Sequence, residues 1–286
     1  MSLAETHSLV KLEMHKFGDR VTRKDIGGDL NVQHNVTDPK ALKVTLDVLG
    51  SAEVTELRNI QARARVAFNE LTFTWDSPWR IIPNHKIVDA EAIASKCKMD
   101  CEVQVNLICE KLPAHKERKR LELGTLYRES DFPSESDLRS KVSVDFDVKV
   151  LPEAEHDPRL GLSPAMMEAQ RKRVIEGERR RIGEVTNTMQ RDLYELLDKV
   201  VDRLSGYTGK KEGSFNNTLI TNIRDYVEKI PDFNLGDNQK LEEIRQDIID
   251  KIANVNPDTL RVDEHIRKEK VRDAKVLLDR VAHLSD

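Results

Sequence analysis

The residues in this chain that could do chemistry fall into a few clusters. Cys97 and Cys101 stand one helical turn apart and Cys109 two turns further, so on a helix all three lie near one face and could offer soft ligands to zinc. That face also carries Ile93, Val105 and Ile108, and free cysteine is among the most buried residue types, so core packing is the favoured reading. A zinc site would also need a fourth ligand, and His115 lies beyond Pro113 at an unhelpful position. Gly206 and Gly209 before Lys210 and Lys211 superficially suggest a phosphate loop, but the spacing is wrong and no Ser or Thr follows the lysines. Asp145 and Asp147 share one face of a strand, and Glu13 and His15 the matching face of another, a set that could bind metal or transfer protons. A solvated outer face on a small sheet is the ordinary explanation. Glu153, Glu155, His156 and Asp157 read as a solvated linker. No metal, cofactor or catalytic residue is expected.

Two basic clusters carry more weight. Lys116, Arg118, Lys119 and Arg120 form one; Arg171, Lys172 and Arg173 with Arg179, Arg180 and Arg181 form the other. If both reach the same end of a helical hairpin they make a local positive patch able to contact a nucleic-acid backbone by neutralising phosphates. The competing reading is a solvated helix face balanced by pairs such as Glu168 with Lys172 and Glu176 with Arg180. Lys and Arg number 47 against 51 Asp and Glu, so the net charge of −4 provides no global reason to expect nucleic acid.

Charged residues make up 34% of the 286 and hydrophobic residues 38%, with only 12 Gly and 10 Pro, a balance that favours long solvated helices. The longest spans Ser163 to about Ser205, roughly 60 Å at ~1.5 Å per residue. Ser163 is a good N-cap, Pro164 fits the first helical position and Gly206 closes the far end. Ile182, Val185, Met189, Leu193, Leu196, Val200 and Leu204 give it an apolar, coiled-coil-like stripe, while Glu168 to Arg181 is charged on nearly every face.

Strand alternation marks residues 8–17 and 141–151, the second through Val142, Val144, Phe146, Val148 and Val150; each needs a partner for its backbone, and each is the obvious partner of the other. Between them the sequence predicts an irregular connection over 18–36, a short helix from Asp38 and Pro39 to Gly50, and a helix capped at Ser51 burying Val54, Leu57, Ala64 and Phe68. An aromatic loop with Phe73, Trp75 and Trp79 plugs the core over 71–83. A third helix begins near Asp89 and is kinked or ended by Pro113, and a capped turn stands at Ser134 and Asp137. Past a polar loop at 207–217, three helices follow, the last marked by Val262, Ile266, Val271, Ala274, Leu278 and Val281.

Trp79-Arg80-Ile81-Ile82-Pro83, then Leu123, Gly124, Tyr127, Ser130, Asp131, Phe132 and Pro133, then Val150-Leu151-Pro152, and finally Phe233-Asn234-Leu235 occur in an order that resembles a family of uncharacterised phage and prophage proteins. The resemblance covers most of the chain and carries over no catalytic residues. Genes of that family often lie near those for AAA-type ATPases and von Willebrand A-domain proteins, which implies a phage-encoded accessory or assembly protein with an AAA-type ATPase as a partner.

The expected fold is mainly α, with a two-stranded sheet of residues 8–17 and 141–151 and a long helical hairpin as spine, in two domains: 1–152, and 153–286 as the long helix plus a C-terminal bundle. The expected function is a non-enzymatic scaffold or adaptor working through a protein partner or homo-oligomer; the alternative is a nucleic-acid-binding accessory protein using the basic helix end. An odd cysteine count fits a reducing cytoplasm, and no apolar run approaches the ~20 residues of a membrane span.

Overall fold

The computed structural model describes residues 3–38, 40–151, 164–208 and 215–284. The expected linker at 152–162, the Ser163 cap, Lys210 and Lys211 lie outside them. The chain is mainly α, as its composition demands. In order come α1 (Leu3–Thr6), β1 (His7–His15), β2 (Arg20–Thr22), α2 (Lys24–Gln33), β3 (Thr45–Asp47), α3 (Ser51–Glu70), β4 (Phe73–Asp76), β5 (Trp79–Pro83), α4 (Ile87–Leu123), α5 (Glu135–Lys141), β6 (Ser143–Val150), α6 (Pro164–Ser205), α7 (Thr218–Phe233), α8 (Gln239–Ile248), α9 (Pro257–Val262) and α10 (Glu264–Ala282). Two compact units result, one of Ser8–Phe73 with Ser77–Val150, the other of Met1–His7, Thr74–Asp76 and Leu151–Asp286.

The expected strand pair is present: β1 and β6 run antiparallel, from Ser8 opposite Val150 to His15 opposite Ser143. It belongs to a four-stranded sheet of order β4-β5-β1-β6. The added strands come from the segment expected as an aromatic loop, which is a hairpin turning at the cis peptide Ser77–Pro78. Period-two alternation buries Phe73 and Trp75 and exposes Thr74 and Asp76, so the expected core role holds for those two aromatics; Trp79 on β5 is only half-buried, with the Lys149 ammonium 4.0 Å over its ring.

In the first unit, α3 lies on α4 and buries Val54, Leu57, Ile60, Ala64 and Phe68. Two expectations fail nearby. Residues 18–36 are not irregular but form β2 and α2, and the helix expected from Asp38 to Gly50 is absent, with β3 near its end. Both errors have one cause. Arg20 to Thr22 pairs with Thr45 to Asp47, and this long-range ladder overrides local helix propensity. Arg23 locks the arrangement: its backbone N–H donates to the Val44 carbonyl at 3.0 Å, and its buried guanidinium donates to Asp25, to Asp131 at 2.7 Å and to the Leu126 carbonyl.

Helix α4 runs straight through Pro113 to Leu123, so Lys116 to Arg120 are helical rather than following the helix. Leu112 and His115 on either side of the proline are buried, and packing there outweighs the ~3 kcal/mol that an interior proline costs. The helix stops at Gly124, whose φ of 52° suits a residue without a Cβ. Helix α5 begins with the expected capping box of Ser134 and Asp137.

In the second unit α6 packs against α10 and α7. Its fully buried row is Val185, Met189, Leu193, Leu197, Val200 and Leu204; Leu197 occupies the place expected of Leu196, which is half-buried. The two rows differ at one position, the buried side running through Leu193, Leu197 and Val200 where the expected row runs through Leu193, Leu196 and Val200. Among the described residues four α-helices follow rather than three, because Asp263 accepts from the His265 and Ile266 N–H groups and starts α10 anew. Val262 therefore ends α9 exposed, and α10 buries Ala274, Leu277 and Val281, with Leu277 in place of Leu278.

Leu197→Ala is expected to cost about 2–5 kcal/mol of unfolding free energy and Leu196→Ala less than half as much, measured by urea denaturation. Asp25 is held well below the ordinary carboxylate pKa, first by the Arg23 hydrogen bond and then by the Ile26 N–H and the Arg128 charge. A depressed folded-state pKa stabilises above the unfolded value of ~4 and is lost as pH falls below it. Asp25→Asn should therefore flatten the acid limb of the stability–pH curve.

Candidate interaction surface

The Lys116–Arg120 cluster is charge-balanced where it stands. Lys116 reaches Glu129 at 2.8 Å, Lys119 reaches Glu122 at 2.7 Å, and Arg120 reaches Glu117 at 2.9 Å while lying over the Tyr127 ring. Arg118 lies 3.7 Å from Glu122 and donates to His115 Nδ1. Exposed pairs of this kind add little stability, but they neutralise the cations. Lys119 hydrogen bonding holds Glu122 below its usual pKa, and Lys116 does the same for Glu129.

The other basic residues lie on α6, in the other unit. Arg171, Lys172, Arg173, Arg179 and Arg180 are exposed; Lys172 stands 4.0 Å from Glu168, and Arg180 turns to Glu184 rather than Glu176. Arg181 is half-buried, paired with Asp76 at 2.9 Å and set over the Trp75 ring. Among the described residues Arg173 and Arg179 have no ion-pair partner.

Cys97, Cys101 and Cys109 are free and buried in the core that α3 and α4 share. The carboxylates on the sheet face are solvated: Lys11 bridges Glu13 at 3.2 Å and Asp147 at 2.9 Å, and Asp145 accepts from Ser143. Between α3 and α4 lies a cavity of about 270 Å³ with Glu53, Lys111, His115 and Arg118 among its lining. Its charged groups are engaged with one another, Lys111 with Glu53 at 2.6 Å and Arg118 with His115. Burial, then the Arg118 and Lys119 charges, push the His115 pKa down and keep the ring neutral.

The feature that sequence reading missed is the outer face of α4. Its inner face, with Ala90, Ala94, Cys97, Cys101, Ile108 and Leu112, is buried. At 100° per residue, Val88, Ala92, Met99, Val103, Leu107, Ala114 and Leu121 all fall within about 60° of the opposite direction. They are exposed: Val88 72%, Met99 59%, Val103 60%, Leu107 42% and Leu121 79%, with both alanines exposed too. Scattered apolar surface residues need no explanation, but large apolar side chains repeated along one face do, here interspersed with the exposed polar residues Ser95, Asn106 and Glu117. Lys96 and Glu110 lie within the same stripe, and neither makes an ion pair or hydrogen bond within the described chain. The signal was available in the i, i+4 spacing of Met99, Val103 and Leu107, but the cysteine-bearing face drew the assignment.

Among the described residues no helix is long and apolar enough to cross a membrane, and no group of three or more His, Cys, Asp or Glu side chains is arranged to hold a metal ion. Comparison of the chain with protein-family models, with curated proteins and with solved structures finds no match.

The two faces of α4 should respond oppositely to the same substitution. Val103→Asp is expected to change unfolding free energy by no more than about 0.5 kcal/mol, as at an exposed site. Val105→Asp, one residue pair along but facing the core, buries an unpaired carboxylate and should cost several kcal/mol or prevent folding. Thermal melts of the two variants, compared at low protein concentration, decide it.

Proposed function

We propose that this protein is a non-enzymatic scaffold or adaptor that works by docking other polypeptide chains. The observation that carries this reading is the apolar outer stripe of α4, about 50 Å long from Val88 to Leu121. An amphipathic helix hides its apolar face; α4 hides one and presents a second. Apolar surface of that extent, rimmed by charge, is the mark of a protein-binding face. The solvated, charged stretch of α6 around Arg173 and Arg179 offers a second contact region of different chemistry, suited to an acidic partner surface.

The nucleic-acid alternative draws less support. On α4, Lys116, Lys119 and Arg120 are matched by Glu129, Glu122 and Glu117, so that reading rests on α6, where Arg173 and Arg179 are exposed and without an ion-pair partner among the described residues. The phage-family resemblance makes an AAA-type ATPase the first partner to assay directly. A reducing cytoplasm, where Cys97, Cys101 and Cys109 remain thiols, suits the chain.

The test is lysine-directed crosslinking of the tagged full-length protein in its producing cell, mapped by mass spectrometry. Intermolecular crosslinks should concentrate on Lys96 and Lys98 of α4 and be lost in Val103→Asp. Intermolecular crosslinks that are absent from α4, or indifferent to Val103→Asp, sink the docking reading.

A further inference from the structure

We infer that the outer stripe of α4 pairs with the same stripe of a second copy, antiparallel and centred on Val103, to make a two-fold symmetric dimer. The inference rests on the reading of α4 as a docking face and names its occupant. A symmetric pairing of two helices places residue i of one copy opposite a residue j of the other such that the same contact recurs with the copies exchanged. Centred on Val103, Val103 meets its own equivalent, Met99 meets Leu107 of the second copy, and Ala92 meets Ala114 of the second copy. The large aliphatic side chains gather at the middle, and the small ones let the helices draw close on either side.

Charge selects this arrangement over its parallel counterpart. Lys96 and Glu110 are the charged residues that interrupt the central apolar stripe, and both are without an intrachain partner among the described residues. In the antiparallel register Lys96 of each copy lies opposite Glu110 of the other, giving two equivalent ion pairs that flank the apolar centre. In a parallel register Lys96 would face Lys96 and Glu110 would face Glu110, four like charges against a desolvating surface. Asp89 and Glu117 come opposite each other only near the ends, where water screens them and Glu117 is already held by Arg120 at 2.9 Å.

Overlap and area also agree with this register. Val103 lies two residues from the middle of Ile87–Leu123, so the two helices overlap along almost their whole length. A face about 50 Å long and about 10 Å wide is ~500 Å² per copy, hence ~1,000 Å² in all, the lower bound of a specific interface. A dimer that forms and dissociates in the micromolar range is the consequence.

Sedimentation equilibrium of the purified full chain from about 1 to about 200 µM, the range that matches an interface of this size, tests the proposal. The expected result is a rise from 32.8 kDa towards twice that mass with concentration. Val103→Asp sets two carboxylates against each other at the symmetry axis and should abolish the dimer while circular dichroism stays unchanged. Lys96→Glu alone and Glu110→Lys alone should each weaken it at least roughly tenfold. The double variant should recover wild-type association, and a mixture of the two single variants should form a heterodimer tighter than either does alone. A monomer at every concentration overturns the pairing, and so does a dimer indifferent to Val103→Asp or one in which the charge exchange fails to restore association. None of these outcomes decides the docking reading, since crosslinks from α4 to a foreign protein would support docking while excluding self-pairing.

Discussion

A helix packed on one side can bury only one face, and α4 has two apolar faces. Its inner face closes the core of its unit: α3 lies along it, β6 and α5 contact it, and Cys97, Cys101, Val105, Ile108 and Leu112 fill the space between. The hydrophobic stabilisation available there, at ~25 cal/mol per Å² of apolar surface removed from water, lets the helix persist through Pro113. It also fixes, by helical geometry alone, where Met99, Val103 and Leu107 must point. The solvent-facing stripe is the unavoidable counterpart of the core.

Charge is distributed to restrain the surface elsewhere. With Lys and Arg nearly equal to Asp and Glu in number, the basic cluster of α4 finds acidic neighbours within a turn or across a loop. Arg23 shows the buried extreme, where Asp25, Asp131 and the Leu126 carbonyl together satisfy one guanidinium and tie β2, α2 and the turn after α4 into a single arrangement. Arg181 is likewise engaged within its own unit, by the Asp76 carboxylate and the Trp75 ring. Lys96 and Glu110 differ from these groups in having no ion-pair partner among the described residues while standing in the outer row of α4 with Met99, Val103 and Leu107.

What the sequence made legible follows from which forces are local. The antiparallel partnership of residues 8–17 and 141–151 could be read because alternation marks both strands and an unpaired strand leaves its backbone groups unsatisfied. The Ser134 and Asp137 box and the Gly124 stop are likewise local chemistry. The segments 18–36 and 38–50 were misread because their structure is set by a ladder between Arg20–Thr22 and Thr45–Asp47 and by Arg23 reaching Asp131, contacts that no window of neighbouring residues contains. The substitution of Leu197 for Leu196 in the buried row has another origin. Leu196 and Leu197 are adjacent and both fit a spacing of three or four from Leu193 and Val200, so which one is buried is decided by where α7 and α10 pack on α6.

The α4 stripe escaped sequence reading for a reason that bears on its role. Periodicity arguments look for one apolar face and a polar remainder, and two apolar faces on opposite sides of one helix cancel in such a sum. Met99, Val103 and Leu107 then register as noise around the Cys97, Cys101 and Ile108 row. Only when the structure shows the inner row to be fully occupied by α3, β6 and α5 does the outer row become surplus to folding. Apolar side chains that folding does not use carry a standing solubility cost, and covering them offsets that cost. In the proposed pairing, Lys96 and Glu110 call for a covering surface that is acidic on one side of Val103 and basic on the other, in mirrored order. A second copy of the same helix, turned end for end, has that pattern.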